Sequence, residues 1–154
     1  MSAEAKLAEL KLELPPAPQA VGLYRLAVEA GGLLYLSGHG PRRADGSLIK
    51  GRVGADLDVP AGYQAARQTG LTMLATLRTH CGSLDRIARL VKTFGLVQAT
   101  PEFTDHPAVI NGFSELMRDV FGEERGVAAR SAVGAASLPA GMAVEVEAIF
   151  ELAD

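Results

Sequence analysis

The segment that most constrains the fold of this chain is the run from Ile87 to Gln98, which is rich in β-branched and apolar residues and predicts a long strand. In an extended conformation its apolar side chains divide between the two faces: Ile87, Val91 and Val97 on one, and Leu90, Phe94 and Leu96 on the other. A strand that is apolar on both faces should be covered on both. Two helices can cover only one side of a sheet, so we expect a second copy of the chain to cover the other.

The other elements predict an α+β domain. One helix is expected from Pro60 to a stop at Gly82, and a second carries a single apolar stripe from Val109 to Phe121 and ends at Gly122. The last strand, Met142 to Leu152, places Val144, Val146, Ala148, Phe150 and Leu152 on one face. The remaining strands are expected at Leu23–Ala30, Leu33–Ser37, Leu48–Val53 and Arg130–Ala135, the first two joined by a Gly31-Gly32 turn. The sequence therefore predicts about six strands with two helices packed on one face.

Length and charge narrow the class of protein. A chain of 154 residues makes one domain, and we expect residues 1–21 to be a lead-in segment and residues 22–154 to form the domain. The net charge of −3 disfavours nucleic acid as the main partner. The longest apolar runs fall far short of the ~20 residues that span a bilayer, so no membrane role is expected. The single cysteine and the lack of a signal peptide favour the cytoplasm.

Few residues are candidates for chemistry. The three histidines are isolated and no metal motif is present, so we expect neither a metal nor a cofactor. Cys81 is interpreted as structural and Arg42-Arg43 as a solvated turn, whereas His39 follows Ser37-Gly38 at a strand end and is a candidate to line a pocket. Arg130 and Glu145 remain. An arginine within a strand is costly to bury unless it meets a carboxylate, which could belong to a substrate or to the protein itself.

The sequence as a whole resembles the Rid family, the reactive intermediate deaminases also known as the YjgF-type or L-PSP endoribonuclease family. The resemblance runs from about Gly22 to Leu152. Its most specific stretch is residues 129–149, Ala-Arg-Ser-Ala-Val-Gly-Ala-Ala-Ser-Leu-Pro-Ala-Gly-Met-Ala-Val-Glu-Val-Glu-Ala-Ile. The other matching positions are Gly22-Leu23-Tyr24, Leu36-Ser37-Gly38, Val91-Lys92-Thr93 and Asn111.

The resemblance implies a chorismate-mutase-like fold that assembles as a homotrimer with clefts between subunits. It implies that Arg130 holds the carboxylate of the substrate and that Glu145 positions the attacking water. It also implies that Tyr24 lines the cleft and that the backbone at Gly38 contacts the ligand. Asn111 and His39 are further candidates for substrate contact, and no cofactor is implied.

Four departures from the family pattern leave the substrate open. Ala128 replaces the proline of the family's Pro-Ala-Arg-Ser, Ala132 replaces a frequent cysteine, and His39 stands where glutamine is common. The loop from Gly122 to Gly126 is longer than in the best-known members. These changes affect the rim of the cleft more than the two charged residues.

The leading hypothesis is hydrolysis of a 2-imino acid, or its enamine tautomer, to a 2-keto acid and ammonia. A protonated imine is already an electrophile, so holding the carboxylate and placing a water would suffice. Two alternatives stay open. One is a trimer that binds a small carboxylate without turning it over; the other, which the acidic composition disfavours, is a ribonuclease or translation inhibitor. Chorismate mutase is suggested by fold analogy alone.

Overall fold

Two long helices cover one face of a five-stranded sheet, in a computed structural model that describes all of residues 1–154. The strands are β1 Ala27–Ala30, β2 Leu33–His39, β3 Ile87–Gln98, β4 Ala129–Ala135 and β5 Val144–Leu152. The helices are α1 Ala3–Glu9, α2 Val59–Cys81, α3 His106–Phe121 and α4 Glu123–Gly126, with single 3₁₀ turns at Leu84–Arg86 and Pro139–Gly141. The mixed α+β architecture predicted from the sequence is confirmed.

The strand order across the sheet is β1-β2-β5-β3-β4. Only β3 and β4 run parallel, because α3 and α4 connect them as a crossover, and all other pairs are antiparallel. The predicted turn at Gly31-Gly32 is confirmed: both glycines have positive φ angles, +60° and +78°, as a tight hairpin turn requires.

The expectation of about six strands was wrong. The segment Leu48–Val53 forms isolated bridges rather than a strand, among them Lys50 with Met142 and Val53 with Ala99. Its backbone turns at Gly51, where φ is +134°, so it cannot continue as a regular strand beside the sheet. The first strand also begins later than expected, at Ala27 rather than Leu23, which leaves Leu23 and its neighbours in an extended loop.

Two irregularities in β3 change the face on which its side chains lie. The pairing with β5 shifts register between Ile87 and Arg89 and again between Leu90 and Lys92. Because each bulge reverses the alternation of side chains, Leu90 is buried with Ile87 and not on the opposite face, and Val91 is exposed. The predicted division of apolar residues holds only beyond the second bulge, where Phe94 and Leu96 point away from the helices.

The helix-facing core follows the sequence pattern closely. The stripe predicted on α3 is fully buried: Val109, Ile110, Phe113, Leu116, Met117, Val120 and Phe121. The alternation of β5 is also confirmed, with Val144, Val146, Ala148 and Phe150 buried against the helices. Asp58 caps α2 by accepting the Ala61 amide at 2.9 Å, and the predicted stop at Gly82 is observed. No helix combines the length and the apolar character that crossing a membrane would need.

Residues near the N-terminus contribute to this core. Ala3 and Leu7 of α1 are buried, only 2% and 4% exposed, and α1 packs against α3. Glu4 accepts hydrogen bonds from Arg78 Nε at 3.1 Å and from the Leu84 amide at 2.9 Å, which fastens α1 to the end of α2. The segment 1–21 therefore includes a helix that is part of the folded structure.

We predict that Leu7→Ala lowers the free energy of unfolding by about 2–5 kcal/mol, because it empties a buried site in the core. Leu10→Ala is the matched control: Leu10 lies one turn further along and is 39% exposed, so its loss should change stability by no more than about 0.5 kcal/mol. Denaturant unfolding of the two variants measures the difference. Equal stability of both would show that α1 does not pack on α3 in solution.

Candidate functional site

The predicted functional residues fall into two clusters, and the charged residues of these clusters, Arg130 and Glu145, lie on opposite faces of the sheet. Arg130 pairs with Thr93 of β3, which pairs with Ala148 of β5, and this row of side chains points toward the helices. Glu145 pairs with Leu96, which pairs with Val133, and this row points away from the helices. Because neighbouring strands keep paired residues on one face, Arg130 and Glu145 of one chain do not face each other.

Glu145 lies in a cavity of about 570 Å³, here called the Glu145 cleft. Three other predicted residues line it: Tyr24, Gly38 and His39. Leu26, Leu48, Pro139 and Met142 contribute to the apolar part of its wall. The structure therefore brings together four of the six residues predicted for the site.

The backbone of Gly38 lies directly beside the carboxyl group of Glu145. A Cβ atom at position 38 would lie 2.8 Å from the Glu145 Cδ and closer still to one carboxyl oxygen, so any larger residue would displace this side chain. The close approach arises where the β2–β5 pairing shifts register between Leu36 and His39. This irregularity exposes the backbone at Gly38 to the cleft.

His39 anchors this irregular segment to α2. The ring is 2% exposed, with Nδ1 2.6 Å from the Ser37 carbonyl oxygen and Nε2 2.8 Å from the Thr76 hydroxyl. A carbonyl can only accept, so Nδ1 donates to Ser37 and Nε2 accepts the Thr76 proton. Burial lowers the pKa of His39, which fits this neutral tautomer. His39 thus forms part of the wall with both ring nitrogens occupied by the protein.

The surroundings of the cleft raise the pKa of the Glu145 carboxyl group above its ordinary value. Burial raises the pKa of the Glu145 carboxyl, and the negative charge of Glu147 raises it further. Glu147 lies two residues further along β5, on the same face and in the same cavity. A carboxylate with a raised pKa is a stronger base than a solvent-exposed one, so it is suited to accept a proton from water and to return it.

Two charged residues of the cleft were missed by the sequence analysis. Glu147 was given no role, and Arg42 was interpreted with Arg43 as a solvated turn. The structure contradicts that interpretation for Arg42, which lines the cleft, while Arg43 is exposed. Adjacent residues of an irregular loop have no periodicity, so nothing in the sequence distinguishes them.

Arg130 lies in a second, smaller cavity of about 280 Å³, here called the Arg130 pocket. Its Nη1 donates to Asn111 Oδ1 at 2.8 Å and to Ser114 Oγ at 3.2 Å, both on α3. No carboxylate forms an ion pair with it, so the structure provides no internal ionic partner of the kind left open above. The Nε and Nη2 edge of the guanidinium makes no hydrogen bond within the chain and can donate to a carboxylate.

The segment before Arg130, expected as a lengthened loop, folds as the short helix α4. Arg125 fastens it to the start of β3 by donating to the carbonyl oxygens of Ile87 at 2.6 Å and Ala88 at 2.8 Å. α4 thereby forms one rim of the Arg130 pocket, to which Glu123 and Gly126 contribute. No group of three or more His, Cys, Asp or Glu side chains converges anywhere in the chain, and Cys81 is half-buried at the end of α2.

Comparison with known proteins defines the family. The chain belongs to the YjgF/L-PSP family, also called Rid: residues 4–148 match the family model described as "YjgF/chorismate mutase-like, putative endoribonuclease". It is 42% identical to Protein TCP17 of Trypanosoma cruzi over 148 residues, covering 96% of this chain and 92% of that protein.

Solved structures of similar proteins share the fold. Atu1372 of Agrobacterium tumefaciens, a protein of unknown function, matches with 38% identity and a TM-score of 0.88, covering 98% of this chain and 94% of that one. A "putative endoribonuclease" of Shewanella oneidensis matches with 31% identity and a TM-score of 0.93, covering 99% and 100%. RidA of a Psychrobacter species is more distant, at 25% identity and a TM-score of 0.60 over 91% and 97%.

We predict that Glu147→Gln lowers the pKa of Glu145 without restoring its ordinary value, because the substitution removes the like charge but leaves the burial. Carbon-detected NMR titration of the carboxyl groups measures it. Glu151→Gln is the control: this residue lies on the same face of β5, beside Arg89 and away from the cleft, and its loss should leave the Glu145 pKa unchanged. An unchanged pKa in Glu147→Gln would contradict the coupling.

Proposed function

We propose that this protein hydrolyses 2-imino acids, or their enamine tautomers, to 2-keto acids and ammonia. Water adds to the carbon of the protonated imine, the carbon–nitrogen bond then breaks, and the products are a keto acid and an ammonium ion. One observation carries the proposal: a carboxyl group with a raised pKa lies beside exposed glycine backbone in a cavity of substrate size. The proposal is also supported by membership of the YjgF/L-PSP family and by the similarity to a solved structure named RidA.

Each charged residue has a separate part in this reaction. Arg130 binds the substrate carboxylate through its free Nε and Nη2 edge, while Asn111 and Ser114 hold the opposite nitrogen and fix the plane of the group. Glu145 orients the water and accepts a proton from it during attack, then returns a proton to the departing nitrogen. Tyr24 and the Gly38 backbone complete the wall against which the substrate lies.

The opposite orientation of Arg130 and Glu145 leads us to propose that each active site forms between two copies of the chain. One copy supplies the Arg130 pocket and its neighbour supplies the Glu145 cleft. The face of the sheet that the helices leave uncovered supports association: Val28, Tyr35 and Val133 are 47%, 44% and 39% exposed there, beside the partly exposed Phe94 and Leu96. A homotrimer would close this arrangement with three equivalent sites.

We predict that Arg130→Ala lowers kcat/KM for imine hydrolysis by roughly 30-fold to several thousand-fold, since a charge-assisted contact in a desolvated cleft is lost. Arg130→Lys should fall between Ala and wild type, because it keeps the charge but loses the planar donor pair. Keto-acid release from imines generated by an amino-acid oxidase provides the assay. A variant with a lower melting temperature but full specific activity would assign Arg130 a purely structural role.

Mixing two inactive variants tests whether the site is shared. Arg130→Ala subunits retain Glu145, and Glu145→Gln subunits retain Arg130. A shared site is intact when one subunit supplies Arg130 and its neighbour supplies Glu145, and in an equal random mixture each condition is met half of the time. Mixing should therefore restore about a quarter of the wild-type sites. The two proteins are unfolded together and refolded, and each is refolded alone as the control. Absence of any recovery in mixed oligomers of native size would place both residues in one subunit's site and contradict the proposal.

A nuclease is the second candidate, because the name of the Shewanella oneidensis neighbour includes endoribonuclease. The Glu145 cleft contains two carboxylates, which disfavour a phosphate backbone. RNA binding that weakens steeply with salt, together with cleavage lost in Glu145→Gln, would favour this candidate. Binding of 2-keto acids without any imine turnover would instead favour a non-catalytic binding protein.

A further inference from the structure

Arg42 is the only positively charged residue that lines the Glu145 cleft. Its backbone is fixed to α2: the carbonyl oxygen accepts from Gln68 Nε2 at 2.6 Å, and the amide donates to the Thr72 hydroxyl at 3.3 Å. The guanidinium forms one hydrogen bond, from Nη1 to the Gly46 carbonyl oxygen at 2.9 Å. The structure thus holds this residue at the cleft while most of its donor groups remain unused.

The other arginines of the same loop differ from Arg42. Arg43 is exposed and donates to Ser47 Oγ and the Leu48 carbonyl oxygen, and Arg52 donates to the carbonyl oxygens of Ala99 and Ala136. Arg42 belongs to none of the chain's ion pairs, although Glu145 and Glu147 line the same cavity. A partly buried guanidinium with five N–H donors and no carboxylate partner is suited to bind an anion from outside the protein.

We propose that Arg42 binds a second carboxylate of the substrate, so that the preferred substrates are dicarboxylic 2-imino acids. The inference rests on the proposed function, in which Arg130 of a neighbouring copy binds the carboxylate next to the imine. The imine carbon then lies at Glu145, and the far end of the substrate extends to Arg42. Glu147 would repel a second carboxylate in this cleft, and Arg42 supplies the compensating positive charge.

The cavity has room for the longer substrate. A volume of about 570 Å³ exceeds what a three-carbon imino acid fills, and Leu48 and Met142 form an apolar wall for the methylene groups between the two carboxylates. Arg42 lies on the loop that follows β2, three residues after His39. The segment whose backbone contacts Glu145 therefore leads directly into the loop that carries Arg42. Specificity and catalysis would therefore depend on the same irregular segment.

Binding of two keto acids of equal length tests the proposal without depending on turnover. Titration calorimetry compares 2-oxoglutarate, which has a carboxylate at the fifth carbon, with 2-oxopentanoate, which has a methyl group there. We expect the wild-type protein to prefer 2-oxoglutarate by about 10- to 100-fold, the value of a charge-assisted contact. In Arg42→Gln the ratio of the two affinities should fall close to one.

Arg43→Gln is the matched control, because it removes the same charge from the adjacent, solvent-exposed position. The ratio should stay at the wild-type value in this variant, and a melting curve of each protein checks that it is folded. An equal loss of preference in both variants would mean that net charge, and not a contact with Arg42, sets the preference. That result would overturn the proposal.

Measuring turnover distinguishes a failure of this inference from a failure of the proposed function on which it rests. Imines generated by an oxidase from glutamate and from norvaline should give a kcat/KM ratio that follows the binding ratio and falls in Arg42→Gln. Hydrolysis of both imines at equal efficiency would overturn the role of Arg42 and leave the deaminase proposal standing. Failure to hydrolyse either imine, with neither keto acid bound, would overturn both.

Discussion

The alternation of side chains along β3, β4 and β5 is the constraint on which the candidate site depends. Paired residues of adjacent strands share a face, so the row that contains Arg130 and Thr93 points to the helices and the row that contains Glu145 and Leu96 points away. No change of rotamer can bring them together, because the sheet lies between them.

Each cluster is held by a different kind of structural support. Arg130 is oriented by side chains of α3, whose buried stripe fixes that helix against the sheet. Glu145 is instead positioned by backbone: the absence of a side chain at Gly38 gives it space, and His39 ties that backbone to Thr76 of α2. The first arrangement presents fixed donors of positive charge, and the second raises a carboxyl pKa through burial. In the proposed reaction, carboxylate binding and proton transfer thus belong to separate halves of the site.

The sequence predicted the regular elements well and the irregular ones poorly. The α3 stripe and the alternation of β5 were correct because each follows one period for its full length. The faces of β3 were partly wrong because two bulges reverse its alternation, and a bulge has no signature in an apolar run. The segment Leu48–Val53 has strand-like composition but pairs only through isolated bridges, because its backbone turns at Gly51. Local propensity does not reveal whether a pairing partner exists.

The sequence by itself determined the family, the fold class and the identity of the two charged residues, since these depend on residue types at fixed spacing. Only the tertiary structure decided which residues meet. It placed Arg130 beside Asn111 and away from Glu145. Of the adjacent residues Arg42 and Arg43, it placed only Arg42 in the wall of the Glu145 cleft. The physical reason is that strand register, bulges and the anchoring of loops set the face on which a side chain lies and the direction in which it points. These features arise from long-range backbone hydrogen bonds and packing, which a linear pattern of residue types does not encode.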